Sequence, residues 1–398
     1  MIRKIIVYIV VFGSLSMFDL IVLPKAAYNA LELLSIALIF ILLIANLIYG
    51  QKGDKQNSLF IFKNEIILIL FAVALSTFAA AYFYGQKIPV TLYAQRPLYF
   101  FFFYFLLHQL RLPVKFFVQL VFYIALVYAF FYLAQTFLYP RQITHNRVAF
   151  DRGTIRIFIP GAGYMILAFF ISLNSYLRES KVKYLIFMGL AAIIFVLLGT
   201  RQVLASVGLM AILNIIFSKR IQSKFSIIFM IILAIIPIYF LFQDIILSMM
   251  EVTEKQSQNF SDDIRVRAAT YFLTDFNHNK LWYFTGNGVN GGTSLYQQKV
   301  IHLMLTKHYY MSDIGMIGDF VQLGIIYVVA TLIIMIKIET IRLPEEMHYI
   351  KYYIGIMFLT FFTGKTTDPA GIAQLCILLY MIDKYYIDKN ETVLPVET

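Results

Sequence analysis

The sequence predicts an all-α, polytopic integral membrane protein of about twelve spanning helices, with one long external loop late in the chain. Three observations predict it. Hydrophobic residues fill 60% of the 398 positions and charged residues only 14%, against about 45–50% and about 25% in soluble domains. The mean hydropathy is +0.76. The apolar residues are gathered into runs, and a hydrocarbon core of about 30 Å takes about 20 helical residues to cross. The formal charge of +11 and pI near 9.4 do not indicate a nucleic-acid partner. The basic residues sit between apolar runs rather than along one solvated stripe.

Apolar runs bounded by charge or proline place the segments at 4–23, 30–49, 65–85, 97–110, 114–138, 157–177, 183–199, 202–218, 225–247, 314–336, 349–363 and 370–387. Arg3 and Lys4 precede the first run, which is long for a signal peptide and lacks a small-residue cleavage site, so it reads as an uncleaved span. The fourth and eleventh runs are short enough to be tilted or re-entrant. Residues 1–247 hold the first nine segments, 248–313 form a mixed polar and aromatic external loop, and 314–398 hold the last three with a short cytoplasmic tail. Cys376 is the single cysteine and lies inside the last run, so no disulfide framework exists.

Lysine and arginine set the orientation. With the N-terminus inside, the inner tails and loops hold 18 of the 33 basic residues, the short outer loops 9 and the long loop 6. Both termini are therefore expected in the cytoplasm. On this topology 8 of the 13 arginines are external but only 7 of the 20 lysines. Arginine offers a planar fork matched to phosphate or carboxylate, whereas lysine is a hydrated point charge. The external arginine excess points to an anionic ligand met outside.

Gly199-Thr200-Arg201-Gln202 joins two apolar runs with almost no loop, presenting Arg201 at the membrane boundary. It reads as a phosphate clamp, or as a snorkelling arginine that ends a helix. The long loop opens with Asp262 and Asp263, then Ile264, Arg265, Arg267, Ala268, Tyr271 and Phe272 at amphipathic helical spacing. Trp282 and Tyr283 follow, then Gly286-Asn287-Gly288, where glycines permit tight turns and close backbone approach to a ligand. The loop closes with His302, His308 and Asp313. The six-residue spacing of the histidines does not suit a metal on one helical face. Asp319 lies more than a turn inside the tenth span, where an ionisable group is either functional or paired with a buried arginine. Gly364-Lys365-Thr366 looks like the end of a nucleotide-binding loop but lacks the upstream glycine and preceding strand.

Taken in order, these features resemble the O-antigen polymerase (Wzy-type) and O-antigen ligase superfamily of bacterial envelope enzymes. The pattern is about a dozen spans, the Gly199-Thr200-Arg201 turn, and a late external loop. That loop bears Asp263-Ile264-Arg265-Val266-Arg267, then Gly286-Asn287-Gly288, and exits through Ser312-Asp313-Ile314-Gly315 with Gly318 and Gly324. The resemblance implies a GT-C-like fold and a metal-independent, cofactor-free, inverting glycosyl transfer at the outer face of the cytoplasmic membrane. The donor would be an oligosaccharide on undecaprenyl diphosphate, with a flippase and a chain-length regulator as further partners. Ligases of the superfamily carry a histidine followed by Asn, Ser or Gln. Here His302 precedes Leu303 and His308 precedes Tyr309, so a polymerase is favoured over a ligase. A lipid-linked oligosaccharide flippase is the alternative of another class.

The residues suit that chemistry. Breaking a C1–O–diphosphate bond leaves charge that preplaced guanidinium groups stabilise. Arg201 with Arg265 or Arg267 would form the clamp, and Arg147, Arg152 and Arg156 further diphosphate or acidic-sugar contacts. The attacking hydroxyl needs a base, ranked as Asp313, then His308, His302 and Asp319. Trp282 and Tyr283 would supply sugar-stacking platforms, with Gly286, Asn287 and Gly288 beside them.

Overall fold

The computed structural model describes residues 1–49, 60–146, 148–151, 154–218 and 263–393, with the isolated positions 243, 247 and 250. The chain is mostly helical. In order come α1 (Ile2–Ser14), α2 (Lys25–Tyr49), α3 (Lys63–Tyr84), α4 (Ile88–Ala94), α5 (Phe103–Leu110), α6 (Val114–Leu138), α7 (Ala162–Glu179), α8 (Val182–Leu197) and α9 (Arg201–Phe217). The segment expected to be external carries α10 (Ile264–Thr274), α11 (Trp282–Thr285) and α12 (Leu295–Lys307), and α13 (Met316–Thr340), α14 (His348–Thr360) and α15 (Pro369–Val393) follow. Among the described residues, five helices are long and apolar enough to cross a membrane: α2, α3, α6, α13 and the Pro369–Asn390 part of α15.

Most expected runs coincide with helices, and 114–138 does so to the residue. The run at 225–247 lies outside the described residues. Two differences matter. The first run is broken after α1, where Ser16, Met17, Phe18 and Asp19 take positive φ, a conformation that ends a right-handed helix. The sixth begins late because a β-hairpin precedes it, a departure from the all-α expectation. β1 (Val148–Asp151) pairs antiparallel with β2 (Thr154–Ile157), Val148 opposite Ile157 and Ala149 opposite Arg156. Three of the four residues Thr154-Ile155-Arg156-Ile157 are β-branched, as a strand prefers, but four residues are too few to register in a reading based on long apolar runs.

The two ends of the bundle differ in make-up. The start of α1 and the later turns of α15 lie at one end, the tail end. There Arg3 Nη1 donates to Leu110 O at 3.4 Å, and Tyr386 Oη to Arg342 O at 2.7 Å. Asp383 of α15 is fully buried there and accepts from His108 Nε2 at 3.0 Å, from Tyr104 Oη, and from Ile61 N–H at 3.1 Å. The carbonyl of Ile61 accepts from Lys337 Nζ at 2.5 Å, and Lys337 also pairs with Glu65 at 2.8 Å. The backbone of Ile61 is thus held by α13 and α15, and α5 in turn holds Asp383.

The external segment sits at the opposite, loop end, on its own small core of Ala268, Phe272, Phe276, Trp282, Tyr296 and Leu303. It enters the bundle where α13 is interrupted. Gly324 takes φ 79° and ψ 178°, which no other residue tolerates as readily. The break exposes carbonyls that an unbroken helix would use. Asn287 donates from its backbone and its side chain to Val321 O, both at 2.9 Å, and Gly288 N–H donates to Gln322 O at 2.8 Å. A loop backbone therefore replaces the missing helical hydrogen bonds, as a hydrocarbon setting demands.

Candidate functional site

Four long helices, α7, α9, α13 and α15, begin at the loop end, so the positive ends of their dipoles point there. The short segment 361–368, between α14 and α15, ties the starts of α9, α13 and α15 together. Thr363 donates to Gln202 Oε1 at the first turn of α9. Met316 N–H, opening α13, donates to Phe361 O at 2.9 Å. Asp319 accepts from Thr366 N–H at 3.0 Å, Thr366 Oγ1 at 2.6 Å and Thr367 Oγ1 at 3.2 Å. Tyr327 Oη meets Thr366 Oγ1 at 3.0 Å. Asp368 then caps α15 by accepting from Gly371 N–H at 3.0 Å.

Asp368 is distinctive in that segment. It is solvent-exposed even though surrounding protein displaces part of its hydration. Open space lies beside it: a Cβ on Gly371 would meet only Asp368 Oδ2, at 3.8 Å. Burial pushes its carboxyl above the ordinary aspartate range, while hydrogen bonds from the Gly371 and Ala370 amides and the charge of Lys365 pull the other way. Lys365 is exposed on the same segment and influences both Asp368 and Asp319.

Arg201 is the first residue of α9 and half-buried. The hairpin is strapped to the turn before it, Thr154 Oγ1 donating to Leu197 O at 3.1 Å. The aliphatic part of Arg156 lies 3.7 Å from where a Cβ of Gly199 would stand. Its guanidinium lies over the Phe158 ring, 5.2 Å from the centroid. Arg156 and Arg201 therefore flank one turn. Arg147 and Arg152 lie outside the described residues.

The remaining expected residues have other surroundings. Arg265 and Arg267 are both exposed on α10, whose start is capped by Asp263 accepting from Arg265 N–H at 2.7 Å. Asn287 is fully buried and its side-chain oxygen accepts from Tyr84 Oη at 2.9 Å and Asn277 Nδ2 at 2.6 Å. Gly286, Asn287 and Gly288 thus face protein backbone rather than a ligand. Trp282 is buried in the external segment's core and donates to Asn277 O at 3.0 Å, so it offers no open stacking face. Tyr283 is 38% exposed. His302 lies on the exposed side of α12, and His308 ends that helix in the left-handed conformation, also exposed. Asp313 is exposed in the turn before α13, accepting from Ser312 at 3.1 Å. Asp319 is held by threonines, not by the arginine expected as its structural partner.

Sequence reasoning weighed Lys365 and Thr366 only as a nucleotide-binding loop and set them aside, and it missed Thr363, Thr367 and Asp368. The one available signal was a polar run, Thr363-Gly364-Lys365-Thr366-Thr367-Asp368, between two apolar segments. Among the described residues no three His, Cys, Asp or Glu side chains gather as a metal ion would require. No protein-family model matches the chain, and no curated protein or solved structure matches it.

Proposed function

We propose that the chain is a bacterial polysaccharide polymerase of the inner membrane. It joins undecaprenyl-diphosphate-linked oligosaccharide repeat units by inverting glycosyl transfer, on a twelve-span, GT-C-like architecture with both termini cytoplasmic. One observation carries the reading. At the loop end, Arg156 and Arg201 flank the turn that opens α9, and Gln202 of that helix is hydrogen-bonded to Thr363 of the segment that carries Lys365 and the carboxylate Asp368. Helix N-termini and guanidinium groups suit a diphosphate. A carboxyl raised by burial suits a general base.

In this reading the acceptor hydroxyl gives its proton to Asp368 as its oxygen bonds to C1 of the donor sugar. The C1–O bond opposite breaks, and its electron pair leaves on undecaprenyl diphosphate, whose charge Arg201 and Arg156 stabilise. Asp368 replaces Asp313, His308, His302 and Asp319 as the preferred base. Unlike the first three, Asp368 lies on the segment hydrogen-bonded to the start of α9, and the fourth is occupied by Thr366 and Thr367.

Transport of the lipid-linked oligosaccharide is the second reading, and the broken helix α13 is the observation that favours it, since transporters place sites at such breaks. Here Asn287 and Gly288 already occupy the freed carbonyls. The test is Arg201→Ala in cells. Normal membrane levels with long-chain polysaccharide lost and single repeat units kept support the polymerase. Loss of all attached glycan supports a ligase, and an unchanged length ladder sinks the mechanism.

A further inference from the structure

Two cavities meet at the tail end of the bundle, and the glycosyl-transfer reading uses neither. The larger, about 570 Å³, lies between α9, α13 and α14, within the roughly 300–1,000 Å³ of small-molecule sites. Its lining follows α14 from His348 to Leu359, a rise of about 16 Å. That is close to one leaflet of a hydrocarbon core about 30 Å thick. Glu339, Thr340 and Lys351 line its tail end, and Met210, Phe358 and Leu359 its deeper part. Lys351 Nζ donates to Glu339 O at 2.5 Å, joining α14 to the last turn of α13 there. Phe217, Ile336 and Phe358 line the cavity while more than half exposed, a surface suited to lipid rather than to water.

The smaller cavity, about 210 Å³, adjoins the larger through Phe217, His348 and Tyr352, which line both. Polar groups are prominent in its lining. Arg178, in the last turn of α7, has one nitrogen on Glu346 at 3.2 Å and further donors beside it. Asn214 of α9 is 2% exposed, and its Nδ2 has no hydrogen-bond partner among the described residues. A buried donor is costly unless it meets an acceptor, so this amide marks where an acceptor belongs. The carboxylate-bearing Glu345 lines the same cavity.

We infer that the two cavities form one phospholipid site of the phosphatidylethanolamine kind. An acyl chain lies along α14, the phosphodiester meets Arg178 and the Asn214 amide, and the ammonium meets Glu345. A cation, an amide donor and a carboxylate together match a headgroup carrying both a phosphate and an ammonium. A headgroup without the ammonium would leave Glu345 facing the phosphate. The site stands at the far end of α14 from the segment 361–368, so it does not depend on the glycosyl-transfer reading.

The test is native mass spectrometry of the purified full chain in mild detergent. The probes are phosphatidylethanolamine, phosphatidylglycerol and diacylglycerol with the same acyl chains. Phosphatidylethanolamine is expected to bind most tightly and diacylglycerol most weakly. Asn214→Leu and Arg178→Gln should each weaken phosphatidylethanolamine about tenfold. Ile336→Trp, which fills the apolar cavity from an exposed position, should weaken all three lipids. Arg178 and Ile336 reach the surface, so their variants test the site even where Asn214→Leu fails to fold. Absence of binding by all three lipids overturns the inference, as does equal binding of the three or tighter binding of phosphatidylglycerol. Binding unchanged in Arg178→Gln and Ile336→Trp overturns it too, as does a second copy of the chain in place of lipid.

Discussion

Asp368, just before α15, and Asp383, about four turns into it, are two carboxylates in contrasting surroundings. Asp383, at the tail end, is sealed from solvent and meets His108, Tyr104 and the Ile61 amide. Asp368, at the loop end, keeps solvent access beside open space, with Lys365 near it. The same carboxyl chemistry is closed off by its partners in one place and left available in the other. Burial alone is thus a poor guide to function in a membrane bundle, and accessibility to a polar ligand is a better one.

The largest expected effect tests the open end. Asp368→Asn should cut transfer by about 10²–10⁴, measured as glycan elongation by purified protein. The same change should raise the thermal midpoint. Because its carboxyl is raised by burial in the native state, the folded chain holds more protons than the unfolded one between the ordinary aspartate pKa and the raised value. Asp368 therefore favours folding at low pH, and that contribution is lost as pH rises through the raised value. At neutral pH the ionised group is a net cost that asparagine removes. A midpoint lowered at neutral pH would break the contrast with Asp383. Arg201→Ala should follow, with transfer reduced about 10²–10³ and the midpoint little changed.

The closed end should answer in the opposite currency. Asp383→Ala leaves His108, Tyr104 and the Ile61 amide without their acceptor, and should destabilise by about 3–5 kcal/mol, read from thermal unfolding in detergent. Any protein that folds should keep its turnover. A smaller loss, about 1–3 kcal/mol, is expected for Asn287→Ala, which uncovers the α13 break. The smallest effect belongs to Arg265→Ala and Arg267→Ala. Both side chains are exposed on α10, so stability should move by no more than about 0.5 kcal/mol, and transfer should fall less than for Arg201→Ala.

The architecture was legible in the sequence where a single physical preference decides it. Apolar length fixed α6 between Pro113 and Tyr139, and the glycines of 286–288 correctly announced a close backbone approach. What approaches them is the interrupted helix α13 rather than a ligand, because a glycine cannot say which backbone it accommodates. The arginine at 201 was legible for a similar reason, since a cation in a tight turn between apolar runs is conspicuous. Asp368 was not. Its segment is held by Gln202 and Asp319 arriving from distant stretches of chain, and no local spacing encodes that meeting. The hairpin at 148–157 was hidden because its strands are shorter than any periodicity that could identify them.

The most direct measurement of the central claim compares wild type with Asp368→Asn, each purified and supplied with undecaprenyl-diphosphate-linked oligosaccharide in detergent, where there is no membrane to cross. The account predicts that wild type builds glycans longer than one repeat unit and releases one undecaprenyl diphosphate per bond formed. The variant should be folded and at least as stable at neutral pH, and should form almost none. Equal elongation by the two proteins would contradict the role given to Asp368, and no elongation by wild type would contradict the polymerase itself.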